Sequence, residues 1–469
     1  MQPRGYIVLD VGKTRAKLSL WDERGALIAR ESRLNAATSS VLDVAGITLW
    51  LAEVLSTFAR RADIQAIIAI GHGAAAALVR DGELVCSPRD YEAKVPAHIR
   101  TAYDALRDPF SATGSPALPH GLNLGAQLFA AQHNDPSIFA QGTQILLWPQ
   151  YWAWLLSDVA ASEATSLGCH SDLWHPNAAR ASRLAVAQGW ADRLPPLRRA
   201  DEVLGTITPA WATRTGLPAT TQIYCGLHDS NAALLAARAF PKIGRKESTI
   251  LSTGTWFVGM RSPKPGTLID IGALPEARDC LVNVDAFVQP TPSARWMGGR
   301  EIETLTGRDA QRVDIKADQP SLLAAVSDVV KAGAMVLPSF TPGFGPFPDR
   351  KGTWINKPTN EVAQRAAVCL YAALVTHEMF SLIGASGRIL IEGRFVGAEV
   401  FTRALATLRP KETIYVANAH NDVSFGALRL IIPALKPTGA LVTVRPLSVD
   451  LTSYARKWRE MTGERGESD

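Results

Sequence analysis

Apolar runs and polar turns alternate along the chain in a pattern that occurs twice. Residues 5–12 and 15–21 are predicted to form two buried strands joined by a short turn, and a third strand follows over 26–31. About half a chain later, a strand over 249–260 with a turn at 252–255 repeats this opening. The repeated pattern predicts two halves of similar architecture.

Helical and extended periodicities alternate in the rest of the chain. A helix is predicted over 41–61 and a buried strand over 64–70. Residues 86–125 are proline-rich and irregular, which is typical of an insertion over a ligand cleft, and residues 126–160 are mostly helical in pattern. The last dozen residues are polar and are expected to fray. A three-stranded meander followed by a helix and a strand is typical of the ribonuclease-H-like core of actin-type ATPases.

We therefore predict an α/β fold made of two ribonuclease-H-like (actin-type ATPase) domains with a cleft between them. A chain of 469 residues is too long for one core, and usual domain sizes predict two or three domains. The predicted domains are residues 1–239 and 240–469. The basic and polar crossing between them, residues 240–248, is the candidate hinge.

Composition narrows the classes of function. The chain is 47% hydrophobic and 20% charged, and its net charge of +5 comes from Lys and Arg spread along the sequence, so no nucleic-acid partner is expected. The five cysteines show no Cys-x-x-Cys spacing, which disfavours a zinc site or a disulfide framework and fits a reducing compartment. The sequence has no signal-peptide pattern and no apolar run of membrane-spanning length, so we expect a cytoplasmic protein without a membrane partner.

Asp229 is the leading candidate for chemistry. An apolar strand ends at His228 and Asp229, and an Ala/Leu-rich helical segment follows. A carboxylate at such a switch can accept a proton, and the positive end of the helix favours its ionised form near neutral pH. Helix capping is the structural alternative for this aspartate. His228 is either a satisfied structural histidine or a group that hydrogen-bonds a substrate oxygen.

Three glycine-containing turns are candidates for binding a nucleotide. Ser252–Thr255 surrounds a glycine with hydroxyl groups, and Gly12–Thr14 has a similar character, so backbone N–H groups at both turns can approach phosphate oxygens. Asp10, at a strand end, could hold Mg²⁺ through water. Gly393 follows an apolar strand, where a ribose or base can lie on the backbone. The structural alternative is an ordinary β-turn for the turn at Gly12 and a plain strand-to-helix turn for Gly393.

In their order and spacing, these turns resemble those of the FGGY carbohydrate kinases, along essentially the whole chain. The resemblance rests on the Asp-x-Gly turn at Asp10, the mid-chain Gly-x-x-Asp, the Thr-Gly-Thr soon after it, and the turn at Gly393 followed by a Gly-Ala helix. The His-Asp-Ser-Asn-Ala segment from His228 is similar to its rhamnulokinase counterpart. Tyr151 with Thr165–Leu167 is similar to a region of rhamnulokinase and L-fuculokinase.

The resemblance implies an ATP-dependent, Mg²⁺-using kinase that phosphorylates a primary hydroxyl of a ketose such as L-fuculose, L-rhamnulose or a pentulose. It implies that Asp229 is the catalytic base and that Asp10 organises the magnesium–nucleotide complex. The first half would bind the sugar and the second half the nucleotide, in a monomer or homodimer. The implied sugar-site residues are His72, Gly73, Asp90 and His228. The implied nucleotide-site residues are Asp10, Gly12, Lys13, Thr14, Lys17, Thr253, Gly254, Thr255 and Gly393.

Some residues depart from the family pattern. Lys13 stands where Thr or Ala is usual, Lys17 where Arg is usual, and Glu392 replaces the first glycine of the usual Gly-Gly pair. The departures at Lys13 and Glu392 leave open a non-catalytic nucleotide or sugar sensor on the same fold, and a polyol kinase is a further alternative. An actin- or chaperone-type ATPase is disfavoured, because the 86–125 insertion has the size to cover a small ligand.

Overall fold

Two mixed β-sheets, one in each half of the chain, organise the fold. The computed structural model describes residues 2–35, 40–308, 316–419 and 421–463. None of the helices in these ranges combines the length and apolarity that crossing a bilayer requires.

The first half carries the strands and helices up to residue 237. Its strands are β1 (Arg4–Val11), β2 (Arg15–Asp22), β3 (Leu27–Leu34), β4 (Asp63–Gly71), β5 (Ala76–Arg80), β6 (Glu83–Leu84), β7 (Gln144–Leu147), β8 (Ser162–Glu163), β9 (Trp174–His175), β10 (Arg180–Ala181), β11 (Leu197–Arg198), β12 (Val203–Thr206) and β13 (Gln222–His228). Its helices are α1 (Val44–Ala59), α2 (Ala97–Asp104), α3 (Phe110–Thr113), α4 (Leu124–Asn134), α5 (Trp148–Ser157), α6 (Ala164–Leu167), α7 (Arg183–Ala187), α8 (Pro209–Thr215) and α9 (Asp229–Ala237).

The first sheet has the strand order β12-β13-β4-β1-β2-β3. The β1–β2–β3 segment is an antiparallel meander, as the sequence predicts, and β4 runs parallel to both β1 and β13. Ile7, Val8 and Leu9 are fully buried, so β1 is covered on both faces, as expected of a central strand. The carboxyl ends of β1, β4 and β13 therefore meet at one edge.

The second half begins at residue 248. Its strands are β14 (Ser248–Thr253), β15 (Phe257–Ser262), β16 (Cys280–Val284), β17 (Pro290–Trp296), β18 (Met335–Leu337), β19 (Thr353–Ile355), β20 (Arg388–Gly393), β21 (Thr413–Ala417) and β22 (Leu441–Thr443). Its helices are α10 (Gly298–Thr306), α11 (Gln319–Lys331), α12 (Glu361–Leu382), α13 (Glu399–Leu408), α14 (Val423–Ile431) and α15 (Thr452–Thr462).

The second sheet has the strand order β16-β17-β15-β14-β20-β21-β22. β14 pairs with β15 in an antiparallel hairpin and with β20 in parallel, which repeats the pairing of β1 with β2 and β4. The predicted similarity of the two halves is confirmed. β16 and β17 fall in a stretch for which the sequence pattern gave no prediction.

Helices α9 and α14 cross between the two sheets and pack against each other. A Cβ on Gly426 of α14 would overlap the carbonyl oxygen of Ala232 in α9, so only glycine permits this approach. Phe425 and Leu428 of α14 share a hydrophobic cluster with Val8 of β1. A helix from late in the chain thus covers part of the first sheet, and the division at residues 239 and 240 stays a prediction.

Two stretches of the first half differ from the sequence expectation. Residues 86–125 contain α2, α3 and the start of α4, because the prolines Pro96 and Pro109 precede helices instead of breaking them. Within residues 126–160, β7 interrupts the predicted helical pattern and pairs with β5. An apolar run of four residues does not by itself distinguish a strand from a helix.

The end of the chain also differs from expectation. Residues 458–462, predicted to fray, form the last turn of α15, whereas residues 464–469 lie outside the described part of the chain. Trp458 is fully buried, and its Nε1 donates to the carbonyl oxygen of Val336 at 2.7 Å. One large apolar side chain anchors an otherwise polar segment.

Candidate active site

Three strand ends at the edge of the first sheet bring the candidate residues together. Gly71, at the end of β4, lies opposite the last residue of β1 on one side and opposite His228 of β13 on the other. Because the three strands are parallel, Asp10, His72 and Asp229 lie at the same edge. Residues far apart in the chain share one site.

Asp229 is the first residue of α9, and its side chain is 33% exposed. His228 occupies the capping position, so Asp229 is not the capping residue. Ser230 Oγ donates to Asp229 Oδ1 at 3.2 Å. Burial raises the pKa of Asp229, and His72, the N–H and hydroxyl groups of Ser230, and Lys17 oppose that shift. Desolvation thus outweighs the positive helix end that we expected to lower this pKa.

Two buried histidines lie beside Asp229. His228 Nε2 is 3.2 Å from Asp229 Oδ1 and 3.3 Å from Cys169 Sγ, and burial lowers the pKa of His228 to about 4, so the ring is neutral near pH 7. His72 Nδ1 lies 2.8 Å from the carbonyl oxygen of Gly73. Within the described ranges, His228 Nδ1 and His72 Nε2 are buried without a hydrogen-bond partner. A polyhydroxylated ligand could satisfy both nitrogens.

Thr165 anchors the end of β13. Its Oγ1 donates to Glu163 Oε2 at 2.6 Å and accepts from the backbone N–H of His228 at 2.9 Å. Glu163 Oε2 also accepts the N–H of Ser166 at 3.1 Å, and burial raises the pKa of Glu163 to about 7. The sequence analysis missed Glu163 and Cys169. Glu163 caps α6, but glutamate is not among the residues preferred at the capping position, so the sequence carried no signal for either residue.

Asp10 and Lys17 form a cross-strand pair between β1 and β2. Lys17 Nζ donates to Asp10 Oδ2 at 2.8 Å, because the two residues are direct partners in the strand register. Burial raises the pKa of Asp10, and Lys17 opposes that shift. The neighbouring turn, residues 12–14, is held by Asn35, whose Nδ2 donates to the carbonyl oxygens of the first two turn residues at 2.8 and 3.1 Å. The sequence pattern gave no indication of Asn35.

Two adjoining cavities form the cleft next to Asp229. The first has a volume of about 510 Å³ and is lined by Asp10, Gly12, Thr14, Arg15, Lys17, Asp229, Ser230, Ala233 and Val423. The second, of about 350 Å³, shares Lys17, Ser230, Ala233 and Val423 with the first and reaches Ser252, Glu392 and Gly393. Asp229 is therefore connected through one cleft to the ends of β14 and β20.

Lys13 and Asp90, which were predicted to contact different ligands, are brought together. Lys13 Nζ lies 3.3 Å from Asp90 Oδ1, 2.5 Å from Glu92 Oε2 and 4.7 Å from the ring centroid of Tyr91. Lys13 lines neither of the two cavities. Its ammonium group instead links the 12–14 turn to the proline-rich residues 86–125. The predicted contacts of Lys13 with the nucleotide and of Asp90 with the sugar stay predictions.

The turn after β14 packs against the turn after β20. Thr253 Oγ1 donates to the carbonyl oxygen of Glu392 at 2.6 Å and accepts a backbone N–H of the following turn, so this hydroxyl is engaged within the protein. Gly393 has φ of 87° and ψ of −153°, a region that is essentially restricted to glycine, and a Cβ there would overlap the Thr253 carbonyl. Gly254 and the exposed Thr255 follow in the same hairpin turn.

Asp10 is the predicted magnesium ligand. Its Oδ2 accepts from Lys17, and its Oδ1 has no hydrogen-bond partner among the described residues. In the same part of the chain, no group of three or more His, Cys, Asp or Glu side chains is placed to hold a metal ion. One free carboxylate oxygen beside a cavity fits a Mg²⁺ that keeps phosphate and water as most of its ligands.

The fold is that of a phosphotransferase with two actin-like domains. The family described as "Carbohydrate kinase FGGY, C-terminal domain" matches residues 245–438. A carbohydrate kinase from Novosphingobium aromaticivorans is 50% identical, with 99% of each chain covered and a TM-score of 0.95. The chain belongs to the FGGY carbohydrate kinase family, whose members transfer phosphate from ATP to an alcohol group.

More distant structures share the fold. A xylulose kinase from Rhodospirillum rubrum is 18% identical over 98% of each chain, with a TM-score of 0.75. A Plasmodium falciparum glycerol kinase solved with ADP is 12% identical over 98% of this chain and 97% of its own, with a TM-score of 0.77. No curated protein matches the sequence. The predicted fold and family are confirmed, and the closer likeness to rhamnulokinase and L-fuculokinase stays a prediction.

Proposed function

We propose that the protein phosphorylates a ketose at a primary hydroxyl, with Asp229 as the general base. One observation carries the proposal: Asp229 lines the cavity that begins at the Gly12–Thr14 turn and also contacts the buried His228 ring. Asp229 therefore lies between a cavity that can hold the phosphate donor and two buried ring nitrogens, those of His72 and His228, that can bind sugar hydroxyls. The similarity of the His228 segment to rhamnulokinase supports L-fuculose, L-rhamnulose or a pentulose as acceptor.

In the proposed reaction the Asp229 carboxylate accepts the proton of the primary hydroxyl while the hydroxyl oxygen attacks the γ-phosphorus of ATP. The bond from that phosphorus to the bridging oxygen breaks, and the products are a sugar phosphate and ADP. The raised pKa of Asp229 makes it a stronger base than an exposed aspartate. The neutral His228 ring hydrogen-bonds the sugar without adding a positive charge beside the base, and the unpartnered Nε2 of His72 is available to the same ligand. Mg²⁺ that accompanies ATP would neutralise phosphate charge, with Asp10 as its contact on the protein.

The remaining assignments follow the two halves of the cleft. We assign sugar binding to the first half, 1–239, and nucleotide binding to the second, 240–469, with residues 240–248 as the hinge. The proposed sugar contacts are His72, Gly73, Asp90 and His228. The proposed nucleotide contacts are Asp10, Gly12, Lys13, Thr14, Lys17, Thr253, Gly254, Thr255 and Gly393.

A coupled ADP-release assay over ketoses and polyols tests the acceptor class. We expect turnover with one or more of L-fuculose, L-rhamnulose, ribulose and xylulose, and a phosphate ester on a primary carbon of the product by NMR. If only polyols are phosphorylated, the acceptor is a polyol and the proposal of a ketose acceptor is wrong. An ester on a secondary carbon would reject the proposed regiochemistry.

Thr165→Val is expected to lower kcat roughly 10- to 100-fold with little change in the KM for ATP. The valine keeps the side-chain shape but leaves the buried N–H of His228 without its acceptor, which costs about 1–3 kcal/mol and loosens the turn that positions Asp229. The matched control is Ser166→Ala, because that hydroxyl contacts Glu163 and not His228. Equal kinetic losses in the two variants would contradict the positioning role of Thr165.

As the pH is lowered, kcat/KM is expected to begin to fall at a higher pH than it would if the base were an aspartate with an ordinary pKa. The base must be ionised, and burial raises the pKa of Asp229, so kcat/KM falls about tenfold per pH unit below that pKa. Lys17 opposes the shift, so Lys17→Met should move the limb to higher pH, whereas the exposed Lys94→Met should not. Coincident limbs in the wild type and Lys17→Met would show that another group governs the profile.

A further inference from the structure

A third cavity, of about 590 Å³, lies where both crossing helices end. Its walls are residues 239–242, which follow α9, and residues 433–437 and 439–441, which follow α14, together with Arg429 of α14. Helix α9 spans nine residues, so this cavity is about 13 Å from Asp229 along the helix axis. The proposed phosphoryl transfer uses none of these residues. The volume is within the range of small-molecule sites.

The cavity carries positive charge that the protein does not neutralise. Lys242, Arg429 and Lys436 line it, and no Asp or Glu does. Arg429 donates only to carbonyl oxygens, those of Pro433 and Leu435, each at 3.2 Å. In the described part of the chain none of the three cations forms an ion pair with a carboxylate. Three unneutralised cations around one concave space attract an anion.

The rest of the wall is apolar. Phe240 and Leu435 are buried, with 3% and 8% exposure, and Leu441 together with three prolines completes the surface. A bare phosphate ion would leave this apolar surface in contact with water. A ligand that pairs a phosphate group with a flat apolar body would cover the surface and meet the cations.

We propose that this cavity binds a small organic phosphate, with the phosphate group on Lys242 and Lys436 and an aromatic or heterocyclic body against Phe240, Leu435 and Leu441. A ligand here contacts both halves of the molecule. Leu435 packs on Gly25 in the β2–β3 turn, where a Cβ would come within 3.2 Å of it, and Leu441 begins β22 of the second sheet.

Thermal unfolding of the full chain tests the site with three probes. A saturating non-hydrolysable ATP analogue is present throughout, so that the cleft is occupied. Phenyl phosphate at millimolar concentration should raise the unfolding midpoint by about 2–4 °C. Inorganic phosphate, which lacks the apolar body, should raise it less. Benzyl alcohol, which lacks the charge, should leave it unchanged.

The variant pair decides where the probe binds. The Lys242→Ala/Lys436→Ala double variant should lose the phenyl phosphate shift. The control Lys246→Ala/Lys411→Ala, which removes two exposed lysines outside the cavity, should keep it. A shift that survives in the first double variant overturns the proposal, as does the absence of any shift in the wild type. If phenyl phosphate and inorganic phosphate raise the unfolding midpoint equally, the apolar wall does not contact the aromatic body of the ligand, and that part of the proposal is wrong.

Discussion

Asp229→Asn is expected to lower kcat by about 100- to 10,000-fold on the best sugar acceptor. The amide has the shape of the carboxylate and can still accept the hydroxyl of Ser230, but it cannot take a proton from the acceptor. The coupled ADP-release assay measures the loss. Because no other carboxylate lies within hydrogen-bond distance of the His228 ring in the described ranges, we expect no neighbouring residue to substitute for the base.

The stability of the same variant separates chemistry from folding. Burial raises the pKa of Asp229, so the ionised carboxylate destabilises the folded state at neutral pH, and the neutral asparagine should be at least as stable as the wild type. Thermal unfolding checks this, with Asp328→Asn on the exposed face of α11 as a surface control. If Asp229→Asn turns over at a near-wild-type rate, the assignment of the base is wrong.

Gly426→Val is expected to destabilise the protein by about 3 kcal/mol or more, and activity should fall with it. The glycine of α14 lies against the Ala232 carbonyl in α9, where no β-carbon fits, so a larger side chain forces the crossing helices apart. Helix α9 begins with Asp229, and the displacement therefore also moves this carboxylate relative to Asp10. Denaturant unfolding and kcat on the best acceptor measure the two effects.

The control for this prediction is a glycine with room for a side chain. A Cβ on Gly205 would meet only Val159, at an ordinary contact distance of 3.6 Å, so Gly205→Ala should change stability little. An unchanged unfolding free energy in Gly426→Val would mean that α9 and α14 can separate without loss. In that event, the close crossing would not be what holds the two sheets together.

Local patterns predicted most of the elements that build the site. The strands before Gly12 and before Asp229 were found because each is a short apolar run bounded by turn residues. The α15 helix was missed, because its burial depends on one tryptophan docking on distant residues. Composition describes a segment alone and carries no information about the surface on which that segment packs.

For the candidate site as well, some features were predictable from the sequence and others were not. Strand ends and glycine turns, read in order, were enough to identify the family and to select Asp10, Asp229 and Gly393, because the backbone conformations they require are local. The partners of the selected side chains were not accessible from sequence. The pairing of Lys13 with Asp90, for example, joins residues from separate segments.

The sequence by itself therefore determined the two-sheet fold, the family and the position of Asp229, the proposed base, at a strand-to-helix switch. Only the tertiary structure decided that the Thr253 hydroxyl is already engaged, that Thr165 holds the His228 backbone, and that uncompensated cations line a cavity at the far ends of the crossing helices. The physical reason is that hydrogen bonds and electrostatic interactions act over a few ångströms in space. Separation along the chain does not determine which groups come that close.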